Sequence, residues 1–568
     1  MPWLAKEHVD LPSEDAVSFA LDHCDYDPDK PVYHDLENPS RTISHRQANT
    51  IVRKLVAGLR RAGLKKGDCF SITSFNEIMF SMLFLAGVGA GGIFSGMNPA
   101  YRGHEIRHHI QTAEVKLFIC EPEFLVELVK VLDAEGIGRE KLFVFNTRPE
   151  QIVPAGFRSW RWLLEQGSEE WDRCYDREVL KGKELSRLTT SGTTGPPKFA
   201  MQTHSCGTSY HTMVSQGREV PWEPRVLSVL PSFHVATVPA VHVSPLHSGN
   251  KIWIMRRFDL AAYLSAIQTH QITDLGMAPP LVIAIINSPI TKNYSLKSVR
   301  RIGCGAAPLD AESQNRLQAL CAADCAFTQV WGMTETTSAL SIFRYPESDD
   351  TGSVGNVFLP GTDLKLIDDN GKDITAFDVR GELCVKGPTV IKGYFNHPKA
   401  NAESWDSDGY FKTGDILYCD GKTGKWYVVD RKKACLTRFA PDICRGSPDR
   451  ELIKVRGFQV APPELEGLLL THPEIADCAV IGIPGRNKAR DDEKPRAYVV
   501  KQAGSKLTED DVKKLISDNL ASYKRLTGGV VFVPEVPKSP SGKILKRILR
   551  ETAEMEDKGF ANRAQAKL

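Results

Sequence analysis

The sequence lacks a charge excess: 72 Lys and Arg against 70 Asp and Glu leave a net +2 over 568 residues. No bulk field therefore favours nucleic acid or an anionic membrane. It also lacks a disulfide framework. Its 13 cysteines are odd in number and scattered, which points to a reducing compartment. Cys321 and Cys325 lie among apolar neighbours in a helix-like stretch and read as core thiols rather than zinc ligands. Internal repeats and long low-complexity linkers are missing. The first residues, MPWLAKEHVDLPSED, have no basic flank followed by an apolar run, so no secretory leader is expected. One uncharged stretch, Ile78 to Met97, imitates a membrane span. Its glycines Gly87, Gly89, Gly91 and Gly92 suit a buried helix turning into a core strand better than a lipid span. What remains is a soluble globular chain too long for one hydrophobic core, so two or more domains are expected.

The order of patterns predicts an α/β architecture. Amphipathic Ser44–Ala62, strand Phe70–Thr73, helix His104–Thr112 and strand Val115–Cys120 alternate as parallel-sheet units do. Strand-like Val226–Leu230, Ile252–Met255 and Ile302–Cys304 continue the alternation. Beyond Gly352, short strands with turn signals at Asp363–Ile367, Gly381–Lys386 and Trp426–Val429 predict a smaller β-rich subdomain. A final α+β segment starts near Glu451, with strands Cys478–Ile483 and Pro495–Lys501 and helix Asp510–Asn519. His104-Glu105-Ile106-Arg107-His108 formally matches the helical zinc motif H-E-x-x-H. The third ligand is missing, since position 114 is Glu114, and a surface helix explains the same letters.

Thr189-Thr190-Ser191-Gly192-Thr193-Thr194-Gly195-Pro196-Pro197-Lys198 concentrates hydroxyls, glycines and a terminal cation, a composition suited to polyphosphate. It is not a Walker A loop, because the glycines and Lys198 are misplaced and Phe199 stands where Ser or Thr should meet Mg²⁺. Further along come Gly305-Ala306-Ala307-Pro308-Leu309 and Gln329-Val330-Trp331-Gly332-Met333-Thr334-Glu335. Then follow Tyr410-Phe411-Lys412-Thr413-Gly414-Asp415, Asp430-Arg431-Lys432-Lys433 and Pro537-Lys538-Ser539-Pro540-Ser541-Gly542-Lys543. In that order and spacing, from about residue 20 to 550, the six motifs resemble the adenylate-forming superfamily, and within it the 4-coumarate–CoA ligase-like acyl- and aryl-CoA ligases.

The resemblance implies a large multi-subdomain N-terminal adenylation domain over 1–430, combining parallel α/β sheets with the β-rich subdomain. A hinge follows at 431–450, and then a smaller mobile α+β lid domain over 451–568. It implies ATP, CoA and Mg²⁺ as cofactors, and acyl-AMP formation with pyrophosphate release before transfer to CoA. Two anions must be brought together, so the barrier is largely electrostatic. Thr190, Ser191, Gly192, Thr193, Thr194, Gly195 and Lys198 would then cradle phosphates. Gly305, Ala306 and Ala307 would form the adenine-side turn, with Gln329, Trp331, Gly332 and Thr334 beside the nucleotide and Trp331 stacked on adenine. Asp415 and Arg431 would hold the ribose, Glu335 the Mg²⁺, and Lys543 would be the catalytic lysine. Lys454-Val455-Arg456-Gly457-Phe458-Gln459 resembles the thioester-forming segment, with Gly457 and Phe458 along pantetheine and Lys454 and Gln459 near the adenylate. Arg257 matches a basic position near the CoA phosphates, an exposed strand-end arginine being the plainer alternative. His234, in Leu230-Pro231-Ser232-Phe233-His234, resembles a gating histidine beside the substrate carboxylate.

Ala236, Ala240, Met277, Ala278, Ala306 and Val330 are expected in the acyl pocket. An apolar lining favours an aryl, arylalkyl or medium-chain acid. His234 stands where an amino-acid adenylation domain would carry Asp, which disfavours that class. A luciferase-like oxidative enzyme and a noncatalytic nucleotide- or acyl-binding homologue are the alternatives, and the presence of both Lys198 and Lys543 favours an active ligase. The ending Ala566-Lys567-Leu568 resembles a peroxisomal address read by an import receptor. Finally, Ala434–Arg450, with Cys435, Pro441, Cys444 and Pro448, interrupts the hinge while the pattern resumes on both sides. It is expected to be an exposed insert, either a genuine loop or a retained intron.

Overall fold

The computed structural model describes residues 3–190, 197–216, 219–431, 453–456, 458–485, 493–502, 504–537, 544, 546 and 548–553. The side chains of 430, 431, 459 and 463 are outside that description. The chain divides into two compact units. The first comprises Met1–Pro99, Ile106–Thr190 and Lys198–Val429, and the second Ala100–Glu105, Ser191–Pro197 and Asp430–Leu568.

Two large sheets dominate the first unit. One has eight strands, in the order Gly393–Tyr394, Lys198–Thr203, Glu184–Thr190, Ile93–Gly96, Cys69–Thr73, Val115–Cys120, Leu142–Val144 and Arg158–Ser159. Its pairings are parallel except at the hairpin Glu184–Thr190/Lys198–Thr203 and the edge strand Gly393–Tyr394. The other has seven strands, in the order Ala326–Gln329, Arg301–Cys304, Asp274–Met277, Arg225–Ser228, Lys251–Ile254, Pro31–Asp35 and Thr42–Ser44. The uncharged run resolves as helix Ile78–Gly89 followed by strand Ile93–Gly96, as its glycines foretold. At Gly87 a Cβ would lie 2.1 Å from the Phe70 ring, and Gly91 turns the chain at φ +94. Among the described residues no helix is long and apolar enough to cross a membrane.

A four-stranded antiparallel sheet, Asp363–Ile367, Gly381–Lys386, Phe411–Cys419 and Trp426–Arg431, forms the β-rich part. The second unit contains hairpin Ile453–Val455/Phe458–Val460, a three-stranded sheet Ile475–Pro484, Glu493–Lys501 and Gly529–Phe532, and helix Glu509–Asn519. Cys321 and Cys325 are buried free thiols, as expected. In helix Gly103–Ala113, Glu105 is buried and accepts the Arg102 amide, and His108 pairs with Thr112. No metal-holding cluster occurs among the described residues. The insert 434–450 and the C-terminal tripeptide lie outside them.

Candidate active site

The phosphate motif is flanked by two paired strands. Thr190 ends strand Glu184–Thr190, Lys198 opens Lys198–Thr203, and the two residues are cross-strand partners. Ser191, Gly192, Thr193, Thr194 and Gly195 lie outside the described residues. The Lys198 ammonium rests 4.2 Å from the centre of the Tyr394 ring. The Tyr394 hydroxyl donates to Glu335 at 2.8 Å, and burial together with that carboxylate raises the phenol well above its ordinary pKa. Cation, phenol and carboxylate thus form one connected array. Glu335 itself sits in a short 3-10 turn, Thr334–Thr336. Sequence reasoning missed Tyr394. Its signal was the Gly-Tyr pair closing a polar stretch, which here forms the edge strand beside Lys198–Thr203.

Next to it, the turn after strand Arg301–Cys304 is tightly specified. Ala306 adopts φ +70, a left-handed conformation that a side chain disfavours, as recurs at binding turns. Gly305 is required by space, since a Cβ there would lie 2.9 Å from Val330. Ala307 completes the same bend. Gln329 clamps the turn: its amide accepts from and donates to the Leu309 backbone, both at 3.0 Å, and also reaches Gln314. Expected beside the nucleotide, Gln329 is buried and spends its amide on positioning the turn.

Trp331 likewise has a partner within the chain. It is 6% exposed, packs in the β-rich core near Phe358, and donates its indole N–H to Asp415 at 3.0 Å. Its indole N–H thereby orients the Asp415 carboxylate. Gly332 has no room for any side chain, a Cβ there being 2.0 Å from the Ser338 carbonyl. Asp415 is further fixed by its own N–H donating to Thr413, whose hydroxyl holds the Leu383 carbonyl. Arg431 ends strand Trp426–Arg431, and its side chain lies outside the description, as does Lys543.

His234 occupies an anchored loop. Buried Asn76 donates to the carbonyls of Val229, Leu230 and Met255 and accepts from both the amide and hydroxyl of Ser232. His242 bonds the Ser232 carbonyl at 2.8 Å, and Thr237 caps Pro231 and His234 at 2.7 Å each. The His234 Nδ1 accepts the Ala236 amide at 3.2 Å, so the proton of the neutral ring belongs on Nε2. The side chain reaches solvent although protein surrounds it, and that desolvation depresses its pKa. It is therefore a neutral N–H donor open to solvent. Neither Asn76 nor His242 carried a motif signal.

The residues expected around the acid have different surroundings. Met277 is buried in the core that Leu227, Leu275, Ile302, Cys304 and Phe327 make against helices Leu260–His270, Pro279–Asn287 and Ala311–Gln318. Strand alternation turns its neighbour Gly276 to the opposite face. There Gly276 pairs directly with Gly303 on the adjacent strand, and a Cβ at either would meet nothing within 4 Å. Ala236 is partly exposed and Ala240 exposed, the latter on the π-helical turn Val238–Val243, while Val330 is partly buried beside Gly305. Ala278 is partly exposed.

Of the CoA residues, Arg257 is exposed and meets the Phe75 ring at 4.9 Å, whereas its neighbour Arg256 is held by Glu121 and Glu123. The two arginines have divided labour, one structural and one available to an anion. In the second unit, Phe458 is 45% exposed and stacked on Tyr523 at 4.3 Å. Lys454 pairs in register with Gln459, and its amide donates to Glu493. Gly457 and the Gln459 side chain lie outside the described residues.

A strand pair bearing Thr190 and Lys198 at its end, a clamped turn and an oriented carboxylate fit an adenylate-forming enzyme. The chain belongs to the AMP-binding enzyme family, which matches residues 21–395, and the AMP-binding enzyme C-terminal domain matches 464–543. It is 59% identical over 93% of its length to acyl-CoA synthetase ACTT5 of Alternaria alternata, covering 88% of that protein. It is 45% identical to phenylacetyl-CoA ligase epaB of Aspergillus niger, over 96% of this chain and 97% of that one. A long-chain-fatty-acid–CoA ligase structure from Archaeoglobus fulgidus shares the fold, with TM-score 0.75 at 21% identity over 93% and 98% of the two chains. The chain is accordingly an ATP-dependent, AMP-forming acid–CoA ligase.

Proposed function

We propose that the acid is apolar and flat or slender, an aryl, arylalkyl or medium-chain carboxylic acid, lying along the open face at Gly276 and Gly303. The paired glycines carry the proposal. Interior strands of parallel sheets normally present branched side chains on both faces, and here two adjacent strands present bare backbone to open space. Such a floor admits a ring or an extended chain and offers no charge for a polar tail. The phenylacetyl-CoA ligase among the relatives supports an arylalkyl acid.

Each residue then has a task. Lys198, and Lys543 by family resemblance, offset the charge of phosphate and carboxylate. Asp415, oriented by Trp331, accepts ribose hydroxyls. His234 Nε2–H donates toward the carboxylate. Glu335, braced by Tyr394, is the residue that would hold Mg²⁺, a hard cation suited to carboxylate oxygen, which neutralises phosphate charge when bound. We further propose import into peroxisomes through Ala566-Lys567-Leu568, to be tested by capping Leu568 with a C-terminal tag. Unchanged targeting of the tagged chain would remove the proposal.

Hydroxylamine trapping with ATP, Mg²⁺ and a graded acid panel tests the substrate class. Acyl-hydroxamates are expected from aryl, arylalkyl and medium-chain acids, and thioesters once CoA is added. Turnover confined to acetate or to amino acids would refute it.

A further inference from the structure

A cavity of about 410 Å³ in the first unit lies away from the paired residues Thr190 and Lys198. It sits at the far end of their strand pair. Thr190 faces Lys198 at one end and Glu184 faces Thr203 at the cavity end. Six strand residues separate the two ends, roughly 20 Å.

The lining is cationic. Arg177, Lys181, Lys386 and Lys392 contribute to it, against the single carboxylate of Asp363. Asp363 already accepts the Ala5 amide, and Lys181 pairs with Glu178. Lys386 and Lys392 each donate once to a carbonyl, of Asp408 at 2.9 Å and Gly182 at 3.0 Å, leaving ammonium protons for another acceptor. Among the described residues the Arg177 Nε is sealed from water and has no hydrogen-bond partner. Helix His204–Ser215 begins at the cavity wall, bringing the positive end of its dipole there.

Ser205, in the first turn of that helix, supplies the independent observation. It is 3% exposed and lines the cavity, and among the described residues its hydroxyl has no hydrogen-bond partner. Buried hydroxyls are ordinarily bonded. A guanidinium N–H and a hydroxyl both lacking acceptors among the described residues, in a cationic cavity of small-molecule size, call for a ligand rich in acceptors and negative charge.

We propose that this cavity binds a small phosphate-bearing anion, through Arg177, Ser205, Lys386 and Lys392. A phosphate oxygen accepts the Ser205 hydroxyl while the guanidinium and ammonium groups take the others. Inorganic phosphate, the pyrophosphate released by the ligase and a phosphomonoester share that chemistry.

Calorimetric titration of the full-length chain tests it, with AMP in excess to fill the nucleotide site and inorganic phosphate, pyrophosphate and glycerol phosphate as probes. One of the three is expected to bind, and the tightest identifies the source. Arg177→Gln is expected to weaken that binding about tenfold or more and Ser205→Ala severalfold. Acid-dependent pyrophosphate release in phosphate-free buffer should stay at the wild-type rate. Should Arg177→Gln fail to fold, Ser205→Ala still decides, because removing an unbonded hydroxyl forfeits no hydrogen bond. Equal affinity in wild type and Ser205→Ala, or no binding of any probe at millimolar concentration, would overturn the proposal.

Discussion

Glycines do opposite things at the two ends of the candidate active site. On the nucleotide side they are forced by crowding: a Cβ at Gly332 would collide with the Ser338 carbonyl at 2.0 Å, and one at Gly305 would press on Val330 at 2.9 Å. On the acid side, Gly276 and Gly303 are crowded by nothing within 4 Å. The first pair lets backbone elements approach so that Trp331, Asp415 and the adenine-side turn take fixed positions. The second pair leaves space empty, and space is what a variable substrate needs. On the proposed function, chemistry common to the family is held by contact, and selectivity is set by what has been left out.

The contrast breaks most visibly at Gly332. Its replacement by Ala leaves the carbonyl nowhere to move without opening the strand pair Trp331–Met333/Ser338–Ile342, and loss of about 3 kcal/mol or more is expected. Thermal melts of Gly332→Ala check this, and a melting curve matching wild type would remove the crowding argument.

Acid stability comes next. Burial lowers the His242 imidazole to about 4, while in the unfolded chain it titrates near 6.5. Above about pH 6.5 the ring is neutral in both states and its packing is fully stabilising. As pH falls from there toward 4 the unfolded chain takes the proton first, so stability declines with acidification. The loss reaches about 3 kcal/mol near pH 4. His109, His204 and His211, each lowered to about 3, act in the same direction. Denaturant melts from pH 7.5 to 4.5 should show a shallower decline in His242→Gln than in wild type.

Asp415→Ala removes the carboxylate that the Trp331 indole orients, and about a hundredfold loss of kcat/KM for ATP is expected with the fold retained. Gly276→Ala should have the smallest effect, and of opposite sign. A methyl fits the open space and restricts the unfolded chain, so a gain of about 0.4–1 kcal/mol is expected. Destabilisation there would mean that the space is not open.

How much was legible in the sequence follows the same division. Strands Val115–Cys120, Asp363–Ile367 and Gly381–Lys386 were read to the residue, because hydrophobic pattern and turn residues mark them locally. The motif residues Thr190, Lys198, Ala306, Glu335 and Asp415 were singled out because the family motifs set particular residue types in order, and the structure joins Lys198 to Glu335 through Tyr394 and Asp415 to Trp331. Gln329 and Trp331 were read as lying beside the nucleotide, and only the folded chain shows that their polar atoms also hold Leu309 and Asp415. Tyr394, Asn76 and His242 act through long-range contacts that leave no spacing to read. Met277 was assigned to the pocket and its neighbour Gly276 was not. A one-residue step along a strand reverses the face, and a glycine advertises nothing until the register with Gly303 is known.

Filling the open face tests the central claim most directly. Wild type and Gly303→Leu are compared in acid-dependent thioester formation across a series from acetate through medium-chain acids to phenylacetate and larger arylalkyl acids. The account predicts that Gly303→Leu loses about tenfold to a hundredfold in kcat/KM for the larger acids, equivalent to about 1.4–2.8 kcal/mol. The KM for ATP and turnover of the smallest accepted acid should stay close to wild type. An equal loss across the series, or an unchanged preference for the larger acids, would contradict it.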